Sequence, residues 1–554
     1  MTRTRVSRPP TLRSPRDIGL AWWRRHVENQ RFVVPSTELP GSPANRFLRR
    51  NGYVVEFAAG KAWILKRPDR DDIRELCLAN YWRIVRVILD EYRPAVVERL
   101  AAVRLYLEEY SVPELLTVRH SSNRSRYTVK VCEGLLIGLT PGSVDQERMI
   151  TRGAMGVDIP VDPPEETLLR LTASDLRENL DQIASWLRTL VISRSAFEAA
   201  YAREPHPVVV KRLSQIAREL HNDRLADQFE AVLAAEYSHR IGRGETGVGR
   251  RFRVPQYIVT LPPARTAWLE RHAETYAHFR EVIGGLTARL ERAAPRASTA
   301  TLLEQAREVK TYDAYHSTTI EGYKITPEEV SAVLGNKPVA GHDPEQTRSR
   351  MAIVGYGQAF ERCLHVLRDA SGSVSISEAL ITDLHVDLFG ASVDAGIVSA
   401  EELRGYRREP AYLRGSRYVP PAPDKLPALM SQYVELTNAV VGRPILRAIL
   451  AHLDFVTVHP FADGNGRLAR FLMNLALVGG GLPWVTIREE DRSEYFQSLE
   501  AAQVGDDPTT FARFLMRYVE KATSIERTGR SIKRESRSRQ GLRARRASRG
   551  SRAG

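Results

Sequence analysis

The chain has 554 residues, of which 43% are apolar and 27% charged, and it carries a formal net charge of +14. That length exceeds one ordinary domain and predicts two or three cores of usual size. No run approaches the roughly 18 apolar residues a spanning helix needs, and no apolar stretch follows the amino-terminal charges, so a membrane or secreted assignment is unsupported and a cytoplasmic chain is expected.

The first 16 residues hold five arginines and no acid, and residues 527–554 hold eleven Lys/Arg against the single Glu535. The ends are therefore expected to be basic disordered segments, over 1–40 in part and over 527–554. Such segments admit a polyanion such as nucleic acid as a partner. The body between them is nearly neutral. Cys77, Cys132 and Cys363 form no CxxC pair and frame neither a disulfide scaffold nor a cysteine zinc site.

In chain order, a short helix is predicted around Ile18–Val27. Tyr53–Phe57 and Trp63–Leu65 then read as two strands joined in a hairpin. Residues 71–110 repeat apolar positions at helical spacing, as in Ile84, Val87, Ile88 and Tyr92. Strand patterns return at Leu115–Val118, Tyr127–Val131 and Leu135–Ile137, and helical ones at Glu165–Leu171 and Ala173–Leu233. These define a mixed α/β domain over 41–250. No catalytic constellation stands within 40–240. The glycine-rich stretch Gly242–Gly249 marks a domain boundary, and residues 255–526 read as a mainly helical second domain.

The informative run is His459-Pro-Phe-Ala-Asp463-Gly464-Asn465-Gly466-Arg467-Leu-Ala-Arg470. Upstream, Pro444 suits the first turn of a helix whose buried stripe is Ile445, Ile449, Leu453 and Val456. Pro460 disfavours the α region for His459, so the helix should end there and present the imidazole beside a loop. Gly464 and Gly466 allow successive N–H groups to converge on an anion. Leu468, Phe471, Leu472 and Leu475 predict that this loop opens a second helix, whose amino terminus favours phosphate, and Gly479–Gly481 ends it. Arg467 and Arg470 lie three apart on one edge of that helix. The set describes a triphosphate cradle with a carboxylate suited to magnesium and a histidine placed to take a proton. No Walker loop is present. Arg467 occupies the fifth position of the would-be calcium loop opened by Asp463 and Asn465, and a zinc site on His452 and His459 lacks a third ligand.

HPFADGNGRLAR matches the Fic family signature HPFxDGNGRxxR at every specified position, and the resemblance extends over roughly Pro255–Lys521. It implies a mainly α Fic fold and transfer of AMP from ATP to a hydroxyl side chain of a protein, with pyrophosphate leaving. It also implies His459 as general base and Asp463 as the magnesium ligand. Gly464, Asn465 and Gly466 would then line the anion hole, and Arg467 and Arg470 would neutralise the outer phosphates. Gly405-Tyr-Arg407 followed by Ala411–Tyr418 resembles the family's β-hairpin flap, so that Ala411, Tyr412, Leu413 and Arg414 would dock the target main chain to main chain. Tyr495, Phe496 and Gln503 resemble the segment around the adenine, with Phe496 and Gln503 departing from the family's usual tyrosine and asparagine.

Tyr315-His-Ser317-Thr-Thr-Ile-Glu321-Gly322 resembles the family's inhibitory helix pattern [S/T]xxxE[G/N]. By that likeness Ser317, Glu321 and Gly322 belong to an autoinhibitory element in which Glu321 pairs with Arg470. The next segment, Thr326-Pro-Glu-Glu329, has the form of a capped helix start. The resemblance leaves open self-modification, a homodimer, and relatives that move other phosphate groups or remove AMP.

The amino-terminal block resembles AbiEi-type antitoxin regulators, which pair a winged-helix DNA-binding segment with a mixed α/β domain. The residues carrying this are the hairpin 53–66, Val112–Val118 and Ile159–Leu171. It keeps a second class of function open, a DNA-binding regulator or toxin–antitoxin-type protein in which the Fic part is a sensor.

Overall fold

The computed structural model describes residues 14–524 except 58, 59, 61, 69, 70, 123, 124, 241–266, 336–342, 371–373, 402 and 404. The basic ends and the glycine-rich boundary at 242–249 lie outside the described residues. The chain divides into two compact units, Met1–Arg271 with Tyr412–Val419, and His272–Ala411 with Pro420–Gly554. Among the described residues no helix is long and apolar enough to cross a membrane.

The first unit opens with α1 (Pro15–Glu28), β1 (Val33–Pro35), α2 (Ser42–Arg50) and the hairpin β2 (Val54–Phe57) and β3 (Ala62–Leu65). The hairpin is where the alternation placed it, with Val54 opposite Leu65 and Phe57 opposite Ala62. β1 adds to it antiparallel, in the order β1-β3-β2. Three apolar residues are too short a signal to have revealed β1 in the sequence.

A six-stranded mixed sheet follows, in the order β6-β7-β5-β4-β9-β8. Its strands are β4 (Ala95–Val97), β5 (Leu115–His120), β6 (Tyr127–Cys132), β7 (Leu135–Pro141), β8 (Ile150–Ala154) and β9 (Val157–Val161). The helical reading of 71–110 is corrected here. α3 (Ile73–Ala79), α4 (Tyr81–Glu91) and α5 (Arg99–Tyr106) are helices, but β4 interrupts them. Pro94 cannot continue a helix, and Ala95-Val-Val97 is wholly buried in the sheet. Six helices close the unit: α6 (Pro164–Arg170), α7 (Ala173–Glu178), α8 (Leu180–Thr189), α9 (Arg194–Arg203), α10 (Pro207–Glu219) and α11 (Asp223–Arg240).

The expected flap hairpin is also corrected. Among the described residues of 405–420 no strand forms; Ser416 N–H donates to Leu413 O to close a turn through Gly415, at φ +73°. Pro410, Pro420 and Pro421 bracket the segment and remove ladder donors. Residues 412–419 pack within the first unit, where Val112 N–H donates to Arg417 O at 2.8 Å and Arg414 pairs with Glu75 at 2.8 Å.

The second unit is helical, as the periodicity predicted: α12 (Ala267–Ala293), which begins just before the unit boundary, α13 (Thr299–Ile320), α14 (Pro327–Leu334), α15 (Pro344–Asp369), α16 (Glu378–Asp394), α17 (Leu426–Asn438), α18 (Pro444–Val458), α19 (Asn465–Gly479) and α20 (Arg492–Gly505). A last helix covers 508–524. α18 and α19 form its centre. Nearly every residue of both is buried, including Leu453, Phe455, Leu468, Phe471, Leu472 and Leu475. At about 25 cal/mol per Å² of apolar surface, this core fixes the loop that α18 and α19 share. Asn474 pins the far end, its amide donating to Arg470 O and Val485 O and accepting from Val485 N–H.

Candidate active site

α18 ends where Pro460 requires it to. His459 takes the left-handed conformation, φ 51° and ψ 59°, while its N–H still donates to Phe455 O at 2.9 Å. Its Nδ1 sits 3.3 Å from Val456 O; with the proton on Nδ1 for that bond, Nε2 carries the lone pair of a base. Burial, and then the Arg407 guanidinium, push the imidazole pKa down to about 4. The ring is therefore neutral near pH 7.

Arg407 straps this corner together. It is 7% exposed; its Nε donates to His459 O at 2.8 Å, its Nη1 to Glu409 O at 3.0 Å and its Nη2 to Pro421 O. Its own N–H donates to Pro460 O at 2.9 Å.

The loop 460–464 is tied from inside. Asn465 is 2% exposed; its Oδ1 accepts from Phe461 N–H at 3.0 Å and its Nδ2 donates to Phe461 O at 2.7 Å. The structure therefore uses the Asn465 amide to hold the loop rather than to face an anion. His385 of α16 stacks on Phe461 at 3.9 Å and lies 3.2 Å from Asp463 O through Nε2. Gly464 adopts φ +89°, where a side chain would be strained, and a Cβ there would meet the Phe389 ring at 2.8 Å.

α19 then begins with no side-chain cap, so its first-turn N–H groups and dipole favour an anion. Arg467 stands in that turn with its side chain fully buried. The guanidinium lies between the rings of Phe389 (4.9 Å) and Tyr323 (5.3 Å) and is 3.5 Å from Asp463 Oδ1. Its Nε and Nη1 have no hydrogen-bond partner among the described residues. A buried cation with two unused donors is expensive, and an anion would relieve it. The Asp463 carboxylate, half exposed, accepts from Gly464 N–H at 2.6 Å.

Arg470, one turn on, uses all three of its nitrogens. Nε donates to Ser317 Oγ at 2.8 Å, Nη2 to Ser317 O at 2.9 Å and to Glu321 Oε1 at 2.6 Å, and Nη1 to Tyr495 OH at 3.4 Å. α13 supplies these partners because it stops where the sequence said it would, with Glu321 as its cap and Gly322 at φ +91°. Thr326 and Glu329 form the expected capping box of α14. Glu321 also crosses the start of α19, since a Cβ on Gly466 would meet Glu321 Oε1 at 2.3 Å. Tyr495 OH bonds His452 Nε2 at 2.9 Å. Burial, and the Arg470 charge second, push the His452 pKa down to about 3.

His459, Asp463–Arg467, Arg470, Ser317, Glu321 and Tyr495 are thus brought together around the α18–α19 loop. Tyr495 is only 1% exposed and acts on Arg470 and His452. Phe496 is 38% exposed under the Arg492 guanidinium, and Gln503 donates to Thr457 Oγ1 at 3.2 Å. The Phe496 ring packs on that of Tyr495, centroids 5.1 Å apart, at the margin of the cluster. Sequence reasoning named Arg407 only beside the flap and His452 only as a rejected zinc ligand, and it missed His385, Phe389 and Tyr323. The i, i+4 spacing of His385 and Phe389 was the only signal.

Residues 375–477 match a family model described as the Fic/DOC family. The chain is 28% identical over 337 residues to protein adenylyltransferase Fic of Drosophila willistoni, covering 59% of this chain and 60% of that protein. The same protein of Drosophila melanogaster is 28% identical over 338 residues, covering 59% and 61%. The chain thus spans about three fifths of the curated relatives it matches. Among solved structures, Fic-1 (residues 134–508) from C. elegans matches at 21% identity and a TM-score of 0.36, covering 65% of this chain and 99% of that one. A Fic domain-containing signaling protein from Bacteroides thetaiotaomicron matches at 20% identity and a TM-score of 0.35, covering 45% and 94%.

Proposed function

We propose that this chain, which carries a Fic/DOC-family domain, is a protein adenylyltransferase held in an inhibited state by Glu321. The observation that carries the reading is the pair of arginines on one edge of α19. Arg467 is buried with two donors unused, while Arg470 is occupied by a carboxylate from α13.

In the reaction, ATP phosphates would lie over the uncapped start of α19, against Gly464 and Gly466, with Arg467 supplying the unused donors. Displacement of Glu321 would free Arg470 for the same polyphosphate. Neutral His459 takes the proton of a Tyr, Ser or Thr hydroxyl at Nε2. The hydroxyl oxygen then bonds to the α-phosphorus, the bond from that phosphorus to the bridging oxygen breaks, and pyrophosphate leaves with that electron pair. Arg407 holds the histidine carbonyl so that the ring keeps its orientation. The half-exposed Asp463 carboxylate suits magnesium, which combines one or two carboxylates with substrate phosphates and would neutralise charge there.

With Glu321 in place, four of the five Arg470 N–H groups are taken, and the carboxylate lies against Gly466 where phosphate oxygens would sit. Like charges there cost free energy. Incubation of the Glu321→Gly chain with ATP and magnesium, followed by peptide mass spectrometry, should find AMP on hydroxyl residues of the chain or an added target. Finding none, while pyrophosphate release also stays at background, would reject the activity.

A further inference from the structure

β6 is an edge strand of the six-stranded sheet, and α3 packs against it. Two cysteines meet at that contact. Cys77 on α3 is fully buried with its Sγ 3.9 Å from Val131 O, and Cys132, the partly buried last residue of β6, packs against the same core. A thiol–thiol hydrogen bond joins them. Their separation along the chain hides the pair in the sequence, where no CxxC spacing marks it.

A β-bulge makes the meeting possible. Along β6 Thr128 and Lys130 are exposed while Val129 and Val131 are buried, so strict alternation would turn Cys132 outward with Lys130. Instead the register shifts: Lys130 stands opposite Leu136 and Cys132 opposite Leu135, which leaves Val131 as the extra residue. Such a bulge re-aims the next side chain, and Cys132 turns toward Cys77. Arg74 Nη1 donates to Glu133 O, and Gly134 at φ +75° turns the chain into β7, so α3 is fastened to the turn beside Cys132. The two thiols are unequal. Their hydrogen bond, and burial second, push the Cys77 pKa well above its ordinary value; the same bond, aided by the Arg74 guanidinium, brings that of Cys132 below its own despite partial burial. Cys132 is thus the sulfur that favours thiolate and is open to solvent, and Cys77 the one held behind it.

We infer that Cys77 and Cys132 form a reversible disulfide driven by hydrogen peroxide, with Cys132 as the sulfur that attacks the oxidant. The Cys132 thiolate bonds to one peroxide oxygen, the O–O bond breaks, and the departing hydroxide takes a proton to become water, leaving Cys132 as the sulfenic acid. The Cys77 sulfur then bonds to the Cys132 sulfur, the S–O bond breaks, and the hydroxide leaves as water with the Cys77 proton. Two thiols lose two electrons and two protons, and one peroxide becomes two waters. The sulfurs, already in hydrogen-bond contact, need close only to the roughly 2.05 Å of a disulfide. α3 also carries Glu75, which holds Arg414, so the bond ties β6 to the helix that anchors residues 412–419. The inference does not depend on AMP transfer.

The test is treatment of the reduced full chain with hydrogen peroxide, a quench with iodoacetamide, and intact and peptide mass spectrometry. The wild type should lose the mass of two hydrogens, yield a peptide pair joined through Cys77 and Cys132, and regain both thiols with dithiothreitol. Cys363, fully buried in α15, is the internal control and should be alkylated only after denaturation. Cys77→Ala should leave Cys132 as a sulfenic acid that dimedone captures, and Cys132→Ser should abolish the crosslink with no dimedone on Cys77. In the native reduced chain, iodoacetamide should label Cys132 at least about tenfold faster than Cys77 or Cys363. All three thiols remaining free after peroxide would overturn the inference. So would a bond joining Cys132 to Cys363 or to a second chain, or dimedone on Cys77 instead of Cys132.

Discussion

Glu321 Oε1 lies 2.6 Å from Arg470 Nη2, in a pocket where the Arg470 side chain is 4% exposed. The pair joins the end of α13 to the second turn of α19 across 149 residues of chain. Burial disfavours a charged guanidinium, yet the Glu321 charge holds the Arg470 pKa above its ordinary value. The Glu321 carboxylate therefore stabilises the charged form of Arg470, and α13 cannot leave without exposing Arg470.

Ser317 supplies the other half of this grip, through its hydroxyl and its carbonyl. Ser317→Ala removes only the hydroxyl bond, a loss of about 1.5–3 kcal/mol for a bond to a charged group. It should raise AMP transfer severalfold, less than Glu321→Gly does. Initial rates with labelled ATP check the order; equal activation by both would mean that Ser317 and Glu321 release Arg470 as one unit.

Gly466 has no room for a methyl group while Glu321 is engaged, because Glu321 Oε1 would be 2.3 Å from it. Gly466→Ala should therefore destabilise the wild-type chain by about 1–3 kcal/mol, the ordinary range for overpacking. In the Glu321→Gly chain that clash is gone, and alanine is the better helix former by about 1 kcal/mol. Thermal midpoints of the four chains should be non-additive. Equal shifts in both backgrounds would contradict the placement of Glu321.

The pH dependence follows from buried neutral histidines. His459 and His385 have pKa values pushed down to about 4 and His452 to about 3, chiefly by burial. The unfolded chain binds these protons near the ordinary value of 6.5, so the stabilisation is complete above that pH and is lost as pH falls through 4. Melting temperature should drop between pH 6.5 and 4. In the Glu321→Gly chain, transfer rate should be flat from pH 6 to 8 and fall only in the acid range.

Arg407→Gln removes the second cause of the low His459 pKa and the strap on its carbonyl. The acid limb of the rate profile should move up in pH and the plateau rate should fall about tenfold or more. An unmoved acid limb would show that Arg407 only packs.

Much of this site was legible because it is local. Pro460 after His459, glycines at 464 and 466 and the apolar spacing from Leu468 to Leu475 each act within one turn of chain, and the structure places the helix end, loop and helix start where those residues require. The stop of α13 at Glu321 and Gly322 was legible for the same reason, whereas the pairing of Glu321 with Arg470, across 149 residues, came only from the family resemblance. Contacts that close over long chain separations were not. Arg407 reaches His459 across 52 residues and His385 reaches Asp463 across 78, and neither carries a periodic signal. Tyr495 was read as a neighbour of the base, and a hydroxyl bonded to His452 is a tertiary fact no spacing encodes. β4 and the flap failed differently. In both, prolines rather than apolar period decided the backbone.

The central claim is tested most directly by incubating wild type, Glu321→Gly and Glu321→Gly/His459→Ala with magnesium and ATP labelled on the α-phosphate, then measuring intact mass. The account predicts label and a gain of AMP in the single variant, little in the wild type and none in the double variant. Label that persists without His459, or equal label in wild type and Glu321→Gly, would contradict it.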